Sequence, residues 1–388
     1  MKCLPQAKLE YAKGNVLHDW HAEVLAIRAF NRWLVDECAE LARKGFGNDG
    51  AWVRWRREGR EDEDADGHAP NGKGCAEGDG LHARLDHGVR GAESWQDQPF
   101  ELHDDVRMDM YCSEAPCGDT SMELIMAGQE DATPWTQLPA GDEMLGRGNF
   151  DRLGVVRRKP ARPDAPMTLS KSCSDKLAMK QCTSLLSGVT SLLVHPGRCY
   201  LGMVVLPESQ CVPEAVGRAF GAEGRMKCMV DEGVQERWRE AGYEFKPFKV
   251  KTTSREFEYS KRAAAAALGN TSAALVASNL SALYTPHKQE VLINGVLQGR
   301  RQFDPKGASC ASRRRMWEAV ADVAEAVHES TETFGSTDLA RSTKKRSCVE
   351  LKGSGQLEGR ESVKRDVREM ALKGWKRNLG DEDWGLDA

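Results

Sequence analysis

Residues 15–43 read Asn15-Val16-Leu17-His18-Asp19-Trp20-His21-Ala22-Glu23-Val24-Leu25-Ala26-Ile27-Arg28-Ala29-Phe30-Asn31-Arg32-Trp33-Leu34-Val35-Asp36-Glu37-Cys38-Ala39-Glu40-Leu41-Ala42-Arg43. From Trp20 onward the apolar residues Val24, Ile27, Phe30, Leu34, Cys38 and Leu41 recur every three or four positions, with no Gly or Pro between them. That spacing predicts an amphipathic helix with one face in the core. His21 and Glu23 stand at its start. Two residues apart on a helix they point in different directions, so one can hold a metal while the other reaches a water. Hydrolysis at an amidine-like carbon asks for three protein ligands, an open fourth position and a carboxylate that carries protons.

Two of the twelve cysteines have contexts suited to a thiolate: Cys117 in Pro116-Cys117-Gly118-Asp119, and Cys173 in Ser172-Cys173-Ser174-Asp175-Lys176. Both lie at the starts of expected helices, where unpaired N–H groups and the helix dipole lower a thiol's pKa. The other ten read as structural. His21, Cys117 and Cys173 are thus the candidate metal ligands, and Glu23 is left for proton transfer. Zinc nucleobase deaminases in general carry His-x-Glu followed by Pro-Cys-x-x-Cys. Here Gly118, Asp119 and Thr120 follow Cys117, so the third ligand must come from a distant segment.

The 388 residues allow one large domain or two smaller ones. With 55 Lys+Arg against 59 Asp+Glu, net charge −4, a uniformly basic nucleic-acid coat is excluded and only a local patch remains. No run approaches the ~18 apolar residues of a membrane span, and the first residues have no apolar signal core. The expectation is a soluble protein, cytoplasmic and/or nuclear, with no membrane and no obligate protein partner evident. Residues 45–97, rich in Gly, Asp, Glu, Arg and His, read as a disordered or weakly ordered insertion. Strands are expected at 100–102, 107–112, 192–194, 200–206 and 291–297. Helices are expected at 120–127, 174–186, 215–220, 312–328 and 361–375. The segments 246–261 and 330–359 show no clear pattern. Alternating strands and helices indicate an α/β domain with a mixed sheet and helices on its faces.

His-Ala-Glu, then Pro-Cys-Gly-Asp, then Ser-Cys-Ser-Asp-Lys, in that order, resembles the adenosine deaminases that act on RNA, including the tRNA-specific adenosine deaminase 1 family. Residues 15–32, with Val156-Arg157-Arg158-Lys159-Pro160, look like the fungal tRNA enzymes. The resemblance implies a cytidine-deaminase-like three-layer core with a mixed central sheet and a C-terminal helical elaboration. It also implies a single editase domain over 1–388, zinc, and conversion of adenosine to inosine in tRNA, with adenosine 37 beside the anticodon of tRNA-Ala as the target. The family's leading helix and strands have no counterpart before Lys2, so an N-terminal truncation is expected. The alternative is a truncated, catalytically silent RNA-binding protein that keeps a structural zinc; three ligands rather than four favour catalysis.

Arg28 follows His21 by seven residues, nearly two turns, and is carried inward with it, about 10 Å further along the axis. Lys176 lies on the face used by Cys173, with Lys180 a turn further. Buried cations require counter-charge, and few carboxylates flank these. The resemblance implies an enclosed inositol hexakisphosphate, with Arg28, Lys176, Arg313, Lys364, Trp375 and Lys376 as the matching positions. Met179 stands where double-stranded RNA editors place an arginine, and Lys180 is the substitute. Between residues 146 and 180, nine Lys/Arg face three Asp. Arg157, Arg158, Lys159 and Arg162 are therefore the candidate RNA-contacting rim, on an extended surface loop. The absence of a recognisable duplex-binding module favours a folded tRNA over long duplexes.

Overall fold

Helix α1 (Ala22–Lys44) starts directly after His21 and stops at Gly45, whose φ of 86° no longer follows the helix. The computed structural model describes residues 2–56, 98–127, 144–145, 152–159, 165–269, 278–330 and 336–386. The other helices are α2 (Met122–Ala127), α3 (Cys173–Thr183), α4 (Pro213–Phe220), α5 (Glu232–Arg239), α6 (Lys261–Leu268), α7 (Arg313–Ser330), α8 (Ser336–Thr343), α9 (Cys348–Lys352) and α10 (Glu358–Met370). The strands are β1 (Val53–Trp55), β2 (Phe100–Leu102), β3 (Met108–Tyr111), β4 (Met144–Leu145), β5 (Arg157–Arg158), β6 (Leu201–Pro207), β7 (Lys249–Thr253), β8 (Leu280–Tyr284), β9 (Gln289–Ile293) and β10 (Val296–Leu297).

The fold is mixed α/β. Strands β3, β6 and β7 form a parallel sheet in which Tyr111 aligns with Val205 and Val205 with Lys251. β8, β9 and β10 form an antiparallel sheet, β1 and β2 an antiparallel pair, and β4 and β5 a parallel pair. Because β3, β6 and β7 run the same way, their C-terminal ends share one edge, the edge at which parallel sheets place their sites. β3 runs directly into the turn that carries Cys117.

Two core clusters hold α1 in place. Leu34, Val35, Cys38, Leu41 and Ala42 pack with Phe100, Leu102 and the α7 residues Met316, Val320, Val323 and Val327. Leu25 and Ala29 pack with Trp20, Leu17 and Leu292 of β9. A third cluster joins α3 (Leu177, Ala178, Cys182) to Val204 and Leu206 of β6 and to Val363 and Val367 of α10. Ile27 and Phe30 of α1 pack against this third cluster, which ties α1 to α3.

Five sequence expectations change. The strand expected at 291–297 is a hairpin, β9 turning at Asn294 and Gly295 into β10. Val53 to Trp55, inside the stretch read as an insertion, pairs with β2 and buries Val53 and Trp55; residues 57–97 lie outside the described residues. The apolar run at 192–194 ends a 3₁₀ turn (Thr190–Leu192) and keeps of the expected strand only a single parallel bridge, Val194 with Phe100, because a second 3₁₀ turn (Pro196–Arg198) follows almost at once. The unpatterned stretches hold β7, α8 and α9. The surface loop expected around Arg157 is strand β5, and it is buried. No helix among the described residues is long and apolar enough to cross a membrane.

Candidate metal centre and cation cluster

Cys173 is the first residue of α3. Ser172 caps that helix by accepting from the Asp175 N–H at 3.1 Å, and its hydroxyl donates to Asp175 Oδ2 at 2.6 Å. Cys117 is brought to the same place by backbone bonds: the Cys173 N–H points at Cys117 Sγ at 3.4 Å, and the Ser174 N–H donates to the Cys117 carbonyl at 3.0 Å. The Ser174 hydroxyl also donates to the Pro116 carbonyl at 3.0 Å and accepts from the Thr120 N–H at 3.2 Å. Gly118 is required here. Its φ is +105°, and a Cβ would lie 2.2 Å from Ser172 Oγ, so no side chain fits between the two cysteine turns.

His21 caps the other helix and is held by Asp19. Its backbone N–H and its ring Nδ1 both meet Asp19 Oδ1, at 3.0 and 2.7 Å, while Cys3 Sγ lies 3.7 Å from Nδ1. With Nδ1 committed to the carboxylate, Nε2 is the nitrogen left for a ligand, the usual tautomer control of a metal-binding histidine. Asp19 Oδ2 accepts from Lys159 at 2.9 Å, from the Ser170 hydroxyl at 2.7 Å and from Lys176. Lys159 reaches in the other direction to Cys173 Sγ at 3.2 Å.

These contacts set the charges. The hydrogen bond with Cys173 draws the Cys117 thiol down to about 6 against the cost of burial, helped by the Lys159 charge, while the same bond pushes Cys173 up. The pair therefore shares one proton next to an ammonium. Burial works against charge on Asp19, but Lys176, Lys159 and His21 outweigh it and hold the carboxyl well below its ordinary range. Burial likewise opposes the His21 imidazolium, and the bonds to Asp19 and Cys3 overcome it, raising the group to about 9. Glu23, on the first turn of α1, is close enough for its charge to act on Cys117, Cys173 and Cys112.

Among the described residues, the three donors whose atoms come within 4.8 Å of one another are Cys3, Asp19 and His21; His21, Cys117 and Cys173 do not form such a group. The closer group is not itself a cation nest, because both Asp19 oxygens are already taken and two ammonium groups point at one of them. The chemistry of the cysteine pair suits a metal better: two neighbouring thiols, Cys173 buried and Cys117 half-buried, within reach of the charges of the histidine and the carboxylate expected from the sequence.

The expected RNA rim is corrected. Arg157, Arg158 and Lys159 are buried, with 0, 4 and 5% exposure. The reason is local: the Arg157 N–H donates to the buried Asp175 at 2.9 Å, and the strand pairs with residues 170–172 through Ser172 N–H to Arg157 O and Lys159 N–H to Ser170 O, each at 2.8 Å. That pairing turns Lys159 toward Cys173. Arg162 lies outside the described residues.

Behind the centre lies a set of cations. Arg28 Nη1 donates to the Ala311 carbonyl at 3.0 Å, and Lys180 to the Leu185 and Leu186 carbonyls at 3.0 and 2.7 Å. Arg360 binds the Thr183 and Leu186 carbonyls at 2.6 and 2.7 Å. Burial followed by the charge of Arg313 lowers Arg28 to about 10. Burial followed by Arg360, Lys364 and Arg28 holds Lys180 well below its ordinary value. Lys364 falls to about 8 through burial, with Glu361 opposing and Arg360 adding to the fall. His18, between Arg313 and Asp381, drops to about 4 for the same first cause. Lys176 instead faces Asp19 and Ser170, and Trp375 and Lys376 meet Lys171, which lies 5.6 Å over the Trp375 ring and donates to the Lys376 carbonyl. Arg313 pairs with Asp381 and Lys364 with Glu361, but Arg28, Lys180 and Arg360 meet carbonyls, and such a set of cations suits a polyanion.

Asp19, Ser170, Cys3 and Arg360 were not singled out from sequence. An Asp just before a helix reads as a cap, although its place two residues ahead of a candidate ligand was a usable signal. Arg360 carried none, being one of several charges on an amphipathic helix.

The structure thus defines a mixed α/β domain in which a cysteine pair, Cys117 and Cys173, stands with a His-x-Glu helix start in a candidate metal centre. The profile of the adenosine-deaminase (editase) domain matches residues 91–378, and the chain belongs to that family. His21 and Glu23 precede the matched stretch. The chain is 36% identical over 263 residues to tRNA-specific adenosine deaminase 1 of Schizosaccharomyces pombe, covering 67% of this chain and 56% of that protein. It is 31% identical over 217 residues to tRNA-specific adenosine deaminase 1 of Saccharomyces cerevisiae, covering 53% and 44%. The chain thus spans about half the length of these curated relatives.

Proposed function

We propose that this protein hydrolytically deaminates adenosine to inosine in tRNA, with adenosine 37 beside the anticodon of tRNA-Ala as its target. The observation that carries the reading is the pairing of Cys117 with Cys173, whose turns meet through the Cys173 N–H and Cys117 Sγ at 3.4 Å, with Lys159 3.2 Å from Cys173 Sγ. In this reading the parallel sheet and its helices belong to a three-layer cytidine-deaminase-like core. His21 through Nε2, Cys117 and Cys173 would hold zinc. When bound, zinc acidifies water so that it can attack C6 of adenine at neutral pH.

The chain's own residues do the rest. Glu23 takes the proton of the attacking water and returns it to the departing amino group, so that ammonia leaves. Asp19 fixes the His21 ring, and Lys159 compensates the charge on the sulfurs. The adenine must be unstacked to reach the site, which a single-stranded anticodon loop permits most cheaply. Arg28, Lys180, Arg313, Arg360 and Lys364 would hold inositol hexakisphosphate, with Lys176, Trp375 and Lys376 at the margin of that cluster.

The test is inosine analysis of tRNA-Ala incubated with zinc-loaded protein, with free cytidine as the control substrate. Inosine at position 37 and no uridine is the expected result. Glu23→Gln should remove activity and keep zinc; inosine formation at the wild-type rate by that variant removes Glu23 from the mechanism.

A further inference from the structure

With Arg157, Arg158 and Lys159 inside the protein, RNA needs a surface beyond these three residues. The segment leaving β7 crosses the edge of the sheet where Cys117 lies. Tyr111, the last residue of β3, donates its hydroxyl to the Arg255 carbonyl at 3.3 Å and accepts from the Phe257 N–H at 3.1 Å. Arg262, in the first turn of α6, binds the Ser113 carbonyl, Glu114 at 2.9 Å and Glu256 at 2.9 Å. Ser113 and Glu114 precede Cys117 by four and three residues. The loop is therefore tied to the strand that delivers a candidate ligand.

On this fixed loop two aromatic side chains face water: Phe257 is 48% and Tyr259 75% exposed, their rings 5.6 Å apart and edge to face. The side chains of Lys251, Arg255 and Lys261 are exposed around them. Of the nearby carboxylates, Glu114 and Glu256 are occupied by Arg262, leaving Glu258. Exposed rings set among cations on a rigid loop match the surface that binds single-stranded nucleic acid, where bases stack on the rings and cations neutralise phosphates. The rings also lie on the site's own edge of the sheet, where nucleotides flanking an unstacked target would pass.

We propose that Phe257 and Tyr259, flanked by Lys251, Arg255 and Lys261, form a stacking platform for an unpaired nucleotide next to the target base. This rests on the tRNA deaminase reading and adds to it the surface that grips the loop.

The experiment measures binding of an anticodon stem-loop RNA to the zinc-loaded full chain by fluorescence anisotropy over a salt series, together with inosine formation. Phe257→Ala and Tyr259→Ala should each weaken binding roughly 5- to 100-fold and raise KM by a similar factor, with the salt dependence unchanged. Tyr259→Trp should bind within about twofold of wild type, because an indole also stacks. Lys251→Ala and Lys261→Ala should each reduce the salt slope by about one. If wild type makes inosine and the alanine variants bind and react like it, the platform is wrong and the deaminase reading stands. If wild type neither binds RNA nor makes inosine, both fall. Alanine variants that keep RNA binding but lose self-association or binding to another protein assign the patch to a protein partner and overturn the proposal. Thermal melts of each variant, expected to match wild type, exclude unfolding as the cause of a loss.

Discussion

Asp19 and His21 are joined twice through one oxygen, Asp19 Oδ1, which meets the His21 N–H at 3.0 Å and the ring Nδ1 at 2.7 Å. The other oxygen faces Lys159, Lys176 and Ser170. One buried carboxylate therefore orients the candidate ligand and neutralises both Lys159, which also meets Cys173, and Lys176. Asp19→Asn keeps the shape and removes the charge. Zinc affinity should fall about 10- to 100-fold, the usual effect of losing a partner that orients a metal ligand. Urea unfolding should show a loss of about 3–5 kcal/mol, since two ammonium groups lose their buried counter-charge. An affinity within twofold of wild type, by chelator competition, would remove Asp19 from this role.

Gly118 links the cysteine spacing to backbone geometry. Its φ of +105° is a conformation L side chains rarely adopt, and a Cβ would collide with Ser172 Oγ. Gly118→Ala must either strain the turn, at about 1–3 kcal/mol, or push Ser172 and the start of α3 away. The second route separates Cys117 from Cys173. We expect a lowered Tm together with weakened zinc binding. Gly217→Ala is the control, since a Cβ there meets nothing within 4 Å. Equal behaviour of the two variants would refute the geometric account.

What the sequence revealed follows from how local each signal is. The α1 helix was readable because its apolar spacing and the glycine after Lys44 are properties of one short segment. Strand β1 was not, because three residues between a Gly-rich turn and a charged stretch gain their identity only by pairing with β2. The run Arg157-Arg158-Lys159 reads as solvated on composition alone; its burial depends on Asp175 and on residues 170–172, which are distant in pattern though near in number. The family motifs named His21, Glu23, Cys117 and Cys173, yet not Asp19, which binds one of them directly, nor Arg360, whose position is set by carbonyls at the end of α3.

The protonation of the centre makes zinc uptake a proton-releasing reaction. Without metal, His21 is protonated at pH 7, since its value is raised to about 9, and the cysteine pair retains one proton. Binding must expel both, because a metal takes neutral imidazole and thiolates. Near pH 7 about two protons should be released per zinc, and affinity should rise about a hundredfold per pH unit, slowing above the His21 value. Calorimetry in buffers of different ionisation enthalpy counts the protons. Release of fewer than about one would mean that His21 is not a ligand or is already neutral.

Lys364 gives the cation cluster its own signature. Its value falls from the ordinary 10.5 to about 8, chiefly by burial, with Glu361 opposing and Arg360 adding. Between those two values the unfolded chain binds more protons at this site than the folded chain, so this group makes stability rise with pH across the interval. Below pH 8 it is charged in both states, and its full penalty is present. Lys364→Met deletes that penalty. The variant, free of polyanion, should therefore melt above wild type at pH 7, and the gap should narrow toward pH 10. Comparing the two proteins at each pH cancels the contributions of His21 and the buried thiols, which both share. Inositol hexakisphosphate at pH 7 should reverse the order. It stabilises wild type by about 2.7 kcal/mol at a hundredfold excess over its Kd, and the variant by less because one phosphate contact is gone. If the two melting profiles run parallel from pH 7 to 10, and the polyanion raises both equally, Lys364 does not face an anion and the cluster needs another explanation.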